Sequence, residues 1–160
     1  MHHFSYKDNQ LYCEEIPISK IAEEIGTPFY LYSYATLKRH YLAFAAAFEQ
    51  INALVCFSAK ANTNTAVLRL FAGLGCGLDI VSGGELERVV AAGGDPARVV
   101  FSGVGKRPEE IQRALQLGIH CLNVESESEP ERINAVAGMR GVKAPVLTGG
   151  GGWVEREGDE

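Results

Sequence analysis

Short apolar runs alternate along the chain with segments whose apolar positions recur at helical spacing. The runs are Ala53–Ser58 (ALVCFS), Leu78–Val81 (LDIV), Val99–Ser102 (VVFS), Ile119–Val124 (IHCLNV) and Ala144–Leu147 (APVL). Each is too short for a helix, and continuous apolar runs of this kind suit parallel strands covered on both faces. Their centres lie about 21–24 residues apart. Between them, Leu37, Tyr41, Phe44, Ala45 and Phe48 form one helical stripe. Val67, Leu68, Phe71 and Leu74 form a second; Leu86, Val89 and Val90 a third. Ile111, Ala114 and Leu115 make a fourth, and Ile133, Val136 and Ala137 a fifth. Each stripe predicts one face of a helix laid on a sheet.

Boundary residues agree with this rhythm. Ser82-x-x-Glu85 reads as a capping box, in which hydroxyl and carboxylate each satisfy an orphan amide. Pro108 and Pro130 suit the first helical turn, and Gly93 and Gly118 stand where helices should end. Residues 1–28 lack the beat. Phe4 to Ile16 predict a short strand pair, followed by a small helix near Ile18–Ile25 that stops at Gly26. The segment from Thr148, TGGGGWVEREGDE, has no apolar period and predicts a flexible tail over 148–160.

Alternating strands and helices imply an α/β fold with a parallel sheet. Both an open doubly wound sheet and a (β/α) barrel fit the periodicity. A barrel needs eight units in about 250 residues, and this chain of 160 residues carries about five, so a barrel here would be incomplete.

Composition narrows the class. Hydrophobic residues at 46% and charged residues at 22% fit a soluble globular domain. With 15 basic against 20 acidic residues the formal charge is −5, which argues against a nucleic-acid-binding surface. No run approaches the roughly 20 apolar residues of a membrane span. The opening MHHFSYKDNQ has no apolar segment behind a basic one, so no secretory signal is expected. Cys13, Cys56, Cys76 and Cys121 form no C-x-x-C pair and are expected to be small buried hydrophobes in a reducing cytoplasm. His2 and His3 are terminal, and His40 and His120 lack acidic or cysteine companions at ligand spacing, so no metal site is expected.

Lys60 is the leading candidate for chemistry. It follows the run ALVCFSA, and parallel α/β folds gather reactive groups at the carboxyl ends of strands. A partly desolvated lysine there would present more neutral amine, the form that makes a Schiff base with a carbonyl. An ordinary solvated lysine is the plain alternative. Asp79 lies inside an apolar run and needs a partner, because burying a lone carboxylate is costly. It could hold a cationic group or basic ring nitrogen, or form a structural salt bridge. Glu85 reads first as the capping partner of Ser82. Gly103-Val104-Gly105-Lys106 invites a phosphate-loop reading, but Arg107 stands where a hydroxyl is required and Pro108 where a third dinucleotide-loop glycine would be. A tight strand-to-helix turn is the expectation.

The segments GTPFYLYSYATL (26–37), VCFSAKAN (55–62), LDIVSGGEL (78–86), VVFSGVGK (99–106) and LNVES (122–126) together resemble the diaminopimelate decarboxylases, which belong to the fold-type III pyridoxal-phosphate-dependent decarboxylases. The resemblance covers about residues 4–146. It implies an alanine-racemase-like (β/α)8 TIM barrel, here only about its first five strand–helix units. Residues 1–28 would pack on a β-rich second domain, and residues 29–147 would form the partial cofactor-binding barrel. The implied reaction is decarboxylation of meso-diaminopimelate to L-lysine and carbon dioxide, in lysine biosynthesis.

By the same resemblance, Lys60 matches the lysine that holds pyridoxal 5'-phosphate as a Schiff base. Asp79 matches an acidic position lining the cofactor pocket, and Glu85 a supporting glutamate of the same motif. A cytoplasmic homodimer is implied, with a small amino acid as substrate and neither nucleic acid nor membrane as partner. After Pro145-Val146 the chain leaves the family's pattern. The groups that stack on the cofactor ring, cradle its phosphate and pair its ring nitrogen are expected beyond the matched segment. The chain therefore reads as an N-terminal fragment, expected to self-associate and to be inactive alone. A non-catalytic half-barrel module, or a cofactor-binding protein without decarboxylase activity, is the alternative.

Overall fold

A computed structural model describes residues 2–148 and 152–153. It forms two compact units, residues up to Ala53 and residues from Leu54 onward.

The first unit opens with an antiparallel sheet in the order β1 (Phe4–Lys7), β2 (Gln10–Cys13), β3 (Ile16–Pro17). The expected strand pair is present, and the two-residue β3 extends it. Asp8 and Asn9 make the tight connection, both at positive φ, a conformation that these short polar residues tolerate better than most. Helix α1 (Ile18–Ile25) follows and stops at Gly26, whose φ of 80° suits glycine. Helix α2 (Tyr34–Ala46) completes the unit. Ser33 caps it by accepting from the Thr36 amide at 3.0 Å. The Glu14 carboxylate then accepts from the Ser33 hydroxyl at 2.7 Å and the Ala35 amide at 2.9 Å. These bonds tie the hairpin to the start of α2 within the first unit.

The second unit is a six-stranded sheet in sequential order, β4 (Cys56–Ser58), β5 (Gly77–Ile80), β6 (Val99–Phe101), β7 (Cys121–Val124), β8 (Val146–Thr148) and β9 (Gly152–Trp153). The first five are parallel and β9 pairs antiparallel with β8. Helices α3 (Thr65–Gly73), α4 (Gly83–Ala91), α5 (Pro108–Leu117) and α6 (Glu129–Arg140) connect the parallel strands and contact one another in that order. Strictly sequential parallel strands rule out the doubly wound alternative, in which strand order reverses. The unit is a partial barrel of five parallel strands. Thr148, Gly152 and Trp153 lie in the sheet and not in the flexible tail expected from 148 onward, because β8 offers them a strand to extend or pair with. The rest of that tail lies outside the described residues.

Pleating divides the sheet into two faces. Leu78, Ile80, Val99, Phe101 and Leu122 occupy one and are buried. The helical stripes supply their cover: Leu68, Leu86, Val89, Ile111, Ala114 and Ile133 are buried too, and the Phe57 ring stacks on Phe71 with centroids 4.2 Å apart. Cys56, Ser58, Gly77, Asp79, Val100, Cys121 and Asn123 occupy the other face, aligned across the strands by register. Gly77 is required there, since a Cβ would lie 2.5 Å from Cys56 Sγ and 3.0 Å from the Arg98 carbonyl. All four cysteines are free thiols, with Cys13, Cys76 and Cys121 buried. Among the described residues no helix is long and apolar enough to cross a membrane.

Candidate functional site

The carboxyl ends of the parallel strands bring together the residues singled out in the sequence. Lys60 sits in a single 3-10 turn, Ala59–Ala61, directly after β4. Ala59 is fully buried and anchors the turn, while Lys60 is exposed. The expected partial desolvation is absent, because the turn carries the side chain off the sheet into solvent. Among the described residues no hydrogen bond or ion pair engages its amine.

Asp79 is one strand away, in register with Ser58. It is half-buried, and its partners are hydroxyls, not the cation considered as one alternative. Ser102 Oγ donates to Asp79 Oδ1 at 2.5 Å, and Ser58 Oγ donates to Oδ2 at 3.5 Å. Asn123 Nδ2 donates to Ser102 Oγ at 2.9 Å. Four neighbouring strand ends thus contribute one polar group each. The same face holds Cys56, whose thiol is pushed up to about 11 by burial and then by the nearby Cys76 and Asp79. Burial and Asp79 push the Cys121 thiol up as well. Both cysteines are therefore poor nucleophiles near neutral pH.

Glu85 takes the capping role. Its amide donates to Ser82 Oγ at 3.2 Å, and its carboxylate accepts from the Val81 amide at 2.8 Å. The carboxylate reaches one residue further back than the standard box, to the last amide before the cap, and so fixes the loop that follows Asp79. Glu110, which sequence reasoning missed, acts similarly from α5. It accepts from the Arg107 amide at 3.0 Å and the Gly83 amide at 2.8 Å, joining the starts of α5 and α4. Burial opposes its charge, but these amides and the Arg107 guanidinium outweigh it and hold the carboxyl below its usual range.

The turn SGVGK is structural, as expected, and Lys106 is its centre. Its side chain is fully buried and donates to the carbonyls of Gly103 at 2.7 Å and Asn123 at 2.6 Å, and to Glu129 Oε1 at 2.9 Å. Glu129 Oε2 accepts from the Glu125 amide at 2.7 Å. Glu125 in turn accepts from the Gly103 amide at 2.5 Å. Gly103 has a φ of 94° and packs against Val81, a position closed to other residues. Burial works against charge on Glu129, but the Glu125 amide and the Lys106 ammonium prevail and hold its carboxyl below the usual range. This pair, 23 residues apart, locks the β6–α5 loop to the β7–α6 loop.

An exposed lysine after one strand and a hydrogen-bonded carboxylate on the next, at the carboxyl ends of parallel strands, are suited to a carbonyl cofactor. The family model described as "Pyridoxal-dependent decarboxylase, pyridoxal binding domain" matches residues 34–153. The chain belongs to this family. Lys60, Asp79, Glu85 and the Lys106–Glu129 pair all lie within the matched domain.

Among similar proteins, a diaminopimelate decarboxylase of Pseudomonas aeruginosa is 57% identical over 143 residues, covering 89% of this chain and 34% of that protein. One from Vibrio cholerae is 56% identical over 147 residues, covering 91% and 35% respectively. The crystal structure of diaminopimelate decarboxylase from M. jannaschii in co-complex with L-lysine superposes with a TM-score of 0.84 at 35% identity, covering 91% of this chain and 35% of that one. The Helicobacter pylori enzyme, also complexed with L-lysine, gives a TM-score of 0.79 at 42% identity, over 82% and 33%. These neighbours confirm the alanine-racemase-like barrel expected from the sequence. The chain spans about a third of the length of the relatives it matches.

Proposed function

We propose that this chain is the N-terminal, cofactor-carrying part of a pyridoxal-phosphate-dependent carboxy-lyase that converts meso-diaminopimelate to L-lysine and carbon dioxide. The observation that carries the reading is the unengaged Lys60 amine at the end of β4, in a domain of the pyridoxal-dependent decarboxylase family. Identity of 50% or more to five diaminopimelate decarboxylases supports the substrate, as do L-lysine complexes of two structural neighbours.

The residues present fit the group. Pyridoxal phosphate, when bound, supplies an electron sink for the carbanion left by the departing carboxylate. Lys60 is the residue that would hold its aldehyde carbon. Asp79, whose carboxylate accepts from Ser102 and Ser58, would line the cofactor pocket. Glu85 supports it by holding the loop after β5. Orientation of these groups is the protein's contribution to the chemistry.

In the longer enzyme, residues 1–28 would pack on a second, β-rich domain and residues 29–147 would form part of the barrel. The enzyme would work as a homodimer in the cytoplasm, a compartment that four free cysteines suit. The isolated chain would self-associate and turn over no faster than free pyridoxal phosphate.

The test is a chimera in which residues 2–146 replace the matching segment of the Pseudomonas aeruginosa relative. A folded chimera is expected to release carbon dioxide and form lysine from meso-diaminopimelate, and its Lys60→Ala version is not. A folded chimera that binds cofactor without forming lysine would overturn the reading.

A further inference from the structure

The polar groups on the open face of the sheet form a directed chain whose direction can be read from their chemistry. Asn123 reaches Ser102 Oγ through Nδ2, an N–H donor, at 2.9 Å. Its Oδ1 faces Cys121 Sγ at 4.0 Å, on the side where the thiol can donate, so the amide orientation is set at both ends. A serine hydroxyl has one proton. A carboxylate oxygen accepts, so Ser102 gives that proton to Asp79 Oδ1 at 2.5 Å and receives Asn123 on a lone pair. Every bond in the chain therefore ends on the carboxylate.

The two donor residues of the chain are anchored independently. The Asn123 carbonyl accepts from the buried Lys106 ammonium at 2.6 Å, and the Ser102 amide donates to the Ile80 carbonyl at 2.7 Å, in the strand that carries Asp79. We propose that Ser102 and Asn123 are positioning residues that hold the Asp79 carboxylate at the rim of the cofactor site. The inference rests on the cofactor-carrying role assigned to this rim. It adds two residues that act through Asp79. Charge-assisted hydrogen bonds are the stronger class and fix an acceptor's direction as well as its charge.

The experiment uses the full chain and the variants Ser102→Ala, Ser102→Thr and Asn123→Ala, each checked for fold by circular dichroism. Pyridoxal phosphate binding is titrated by absorbance. Ser102→Ala and Asn123→Ala are expected to weaken it about tenfold, the scale of one hydrogen bond to a charged group. Ser102→Thr, which keeps the hydroxyl, should bind within about twofold of the parent on the same scale. Wild-type affinity in both alanine variants, or a threonine variant as weak as Ser102→Ala, would overturn the proposal.

A second readout needs no cofactor. The 13C resonance of the Asp79 carboxylate should move in both alanine variants and return in Ser102→Thr; an unmoved resonance in Ser102→Ala overturns the proposal on its own. Failure of the parent chain to bind pyridoxal phosphate, with the resonance responding as expected, would count against the cofactor role and not against the positioning chain.

Discussion

Two lysines follow two parallel strands of one sheet, and they have opposite fates. Lys60 comes two residues after β4 closes, and Lys106 five residues after β6 closes. Lys60 is exposed with no bonded partner among the described residues. Lys106 is buried, with two carbonyls, a carboxylate and the Phe101 ring around its ammonium. A buried charge persists only when it is paired and hydrogen-bonded, so Lys106 is committed to structure. An amine can serve chemistry only where no such partners claim it. The difference comes from the loops: a three-residue turn lifts Lys60 off the sheet, while Gly103 bends the β6 loop so that Lys106 turns back underneath.

Breaking the buried pair should have the largest effect. Lys106→Met leaves Glu129 and two carbonyls without their cation, and a loss of about 3–5 kcal/mol is expected from urea unfolding. Lys60→Ala should change stability by less than about 0.5 kcal/mol, as for an exposed residue without partners. A similar loss in both variants would erase the distinction between the two lysines.

Acid should weaken the buried pair. The Glu129 carboxyl is held below its ordinary value of 4.5. Its contribution to stability is therefore complete above about pH 4.5 and is lost as pH falls from there through the lower folded value. Unfolding midpoints measured from pH 6 to pH 3 should fall less steeply in Glu129→Gln than in the parent chain.

A smaller loss than at the buried pair is expected at Glu85. Glu85→Ala removes the acceptor of the Val81 amide, and a loss of about 1 kcal/mol is expected by thermal unfolding. Pyridoxal labelling at Lys60 should survive it.

The rhythm of the barrel was legible because each strand and helical stripe is local, and all five parallel strands fall within or beside the apolar runs. The strand starts shifted where apolar residues precede pairing: Ala53 to Val55 extend the first run, yet the ladder begins at Cys56. The two-residue β3 was too short to show an alternation, and β9 lies beyond a glycine run with no pattern. Lys60, Asp79 and Glu85 were visible by position and by resemblance. The groups that hold them in place were not. Lys106 and Glu129, Asp79 and Ser102, and Glu14 and Ser33 meet only after folding, at separations of 19 to 23 residues, and no local pattern marks such pairs. Register could have suggested Ser102 and Asn123, since both continue the face that carries Asp79.

The most direct test reacts the native chain with pyridoxal phosphate, reduces it with borohydride and maps the modified lysines by peptide mass. Labelling concentrated at Lys60, absent in Lys60→Ala, and appearing at Lys106 only after unfolding is the predicted result. Labelling of Lys106 in the folded chain, or spread evenly over the exposed lysines, would contradict the account.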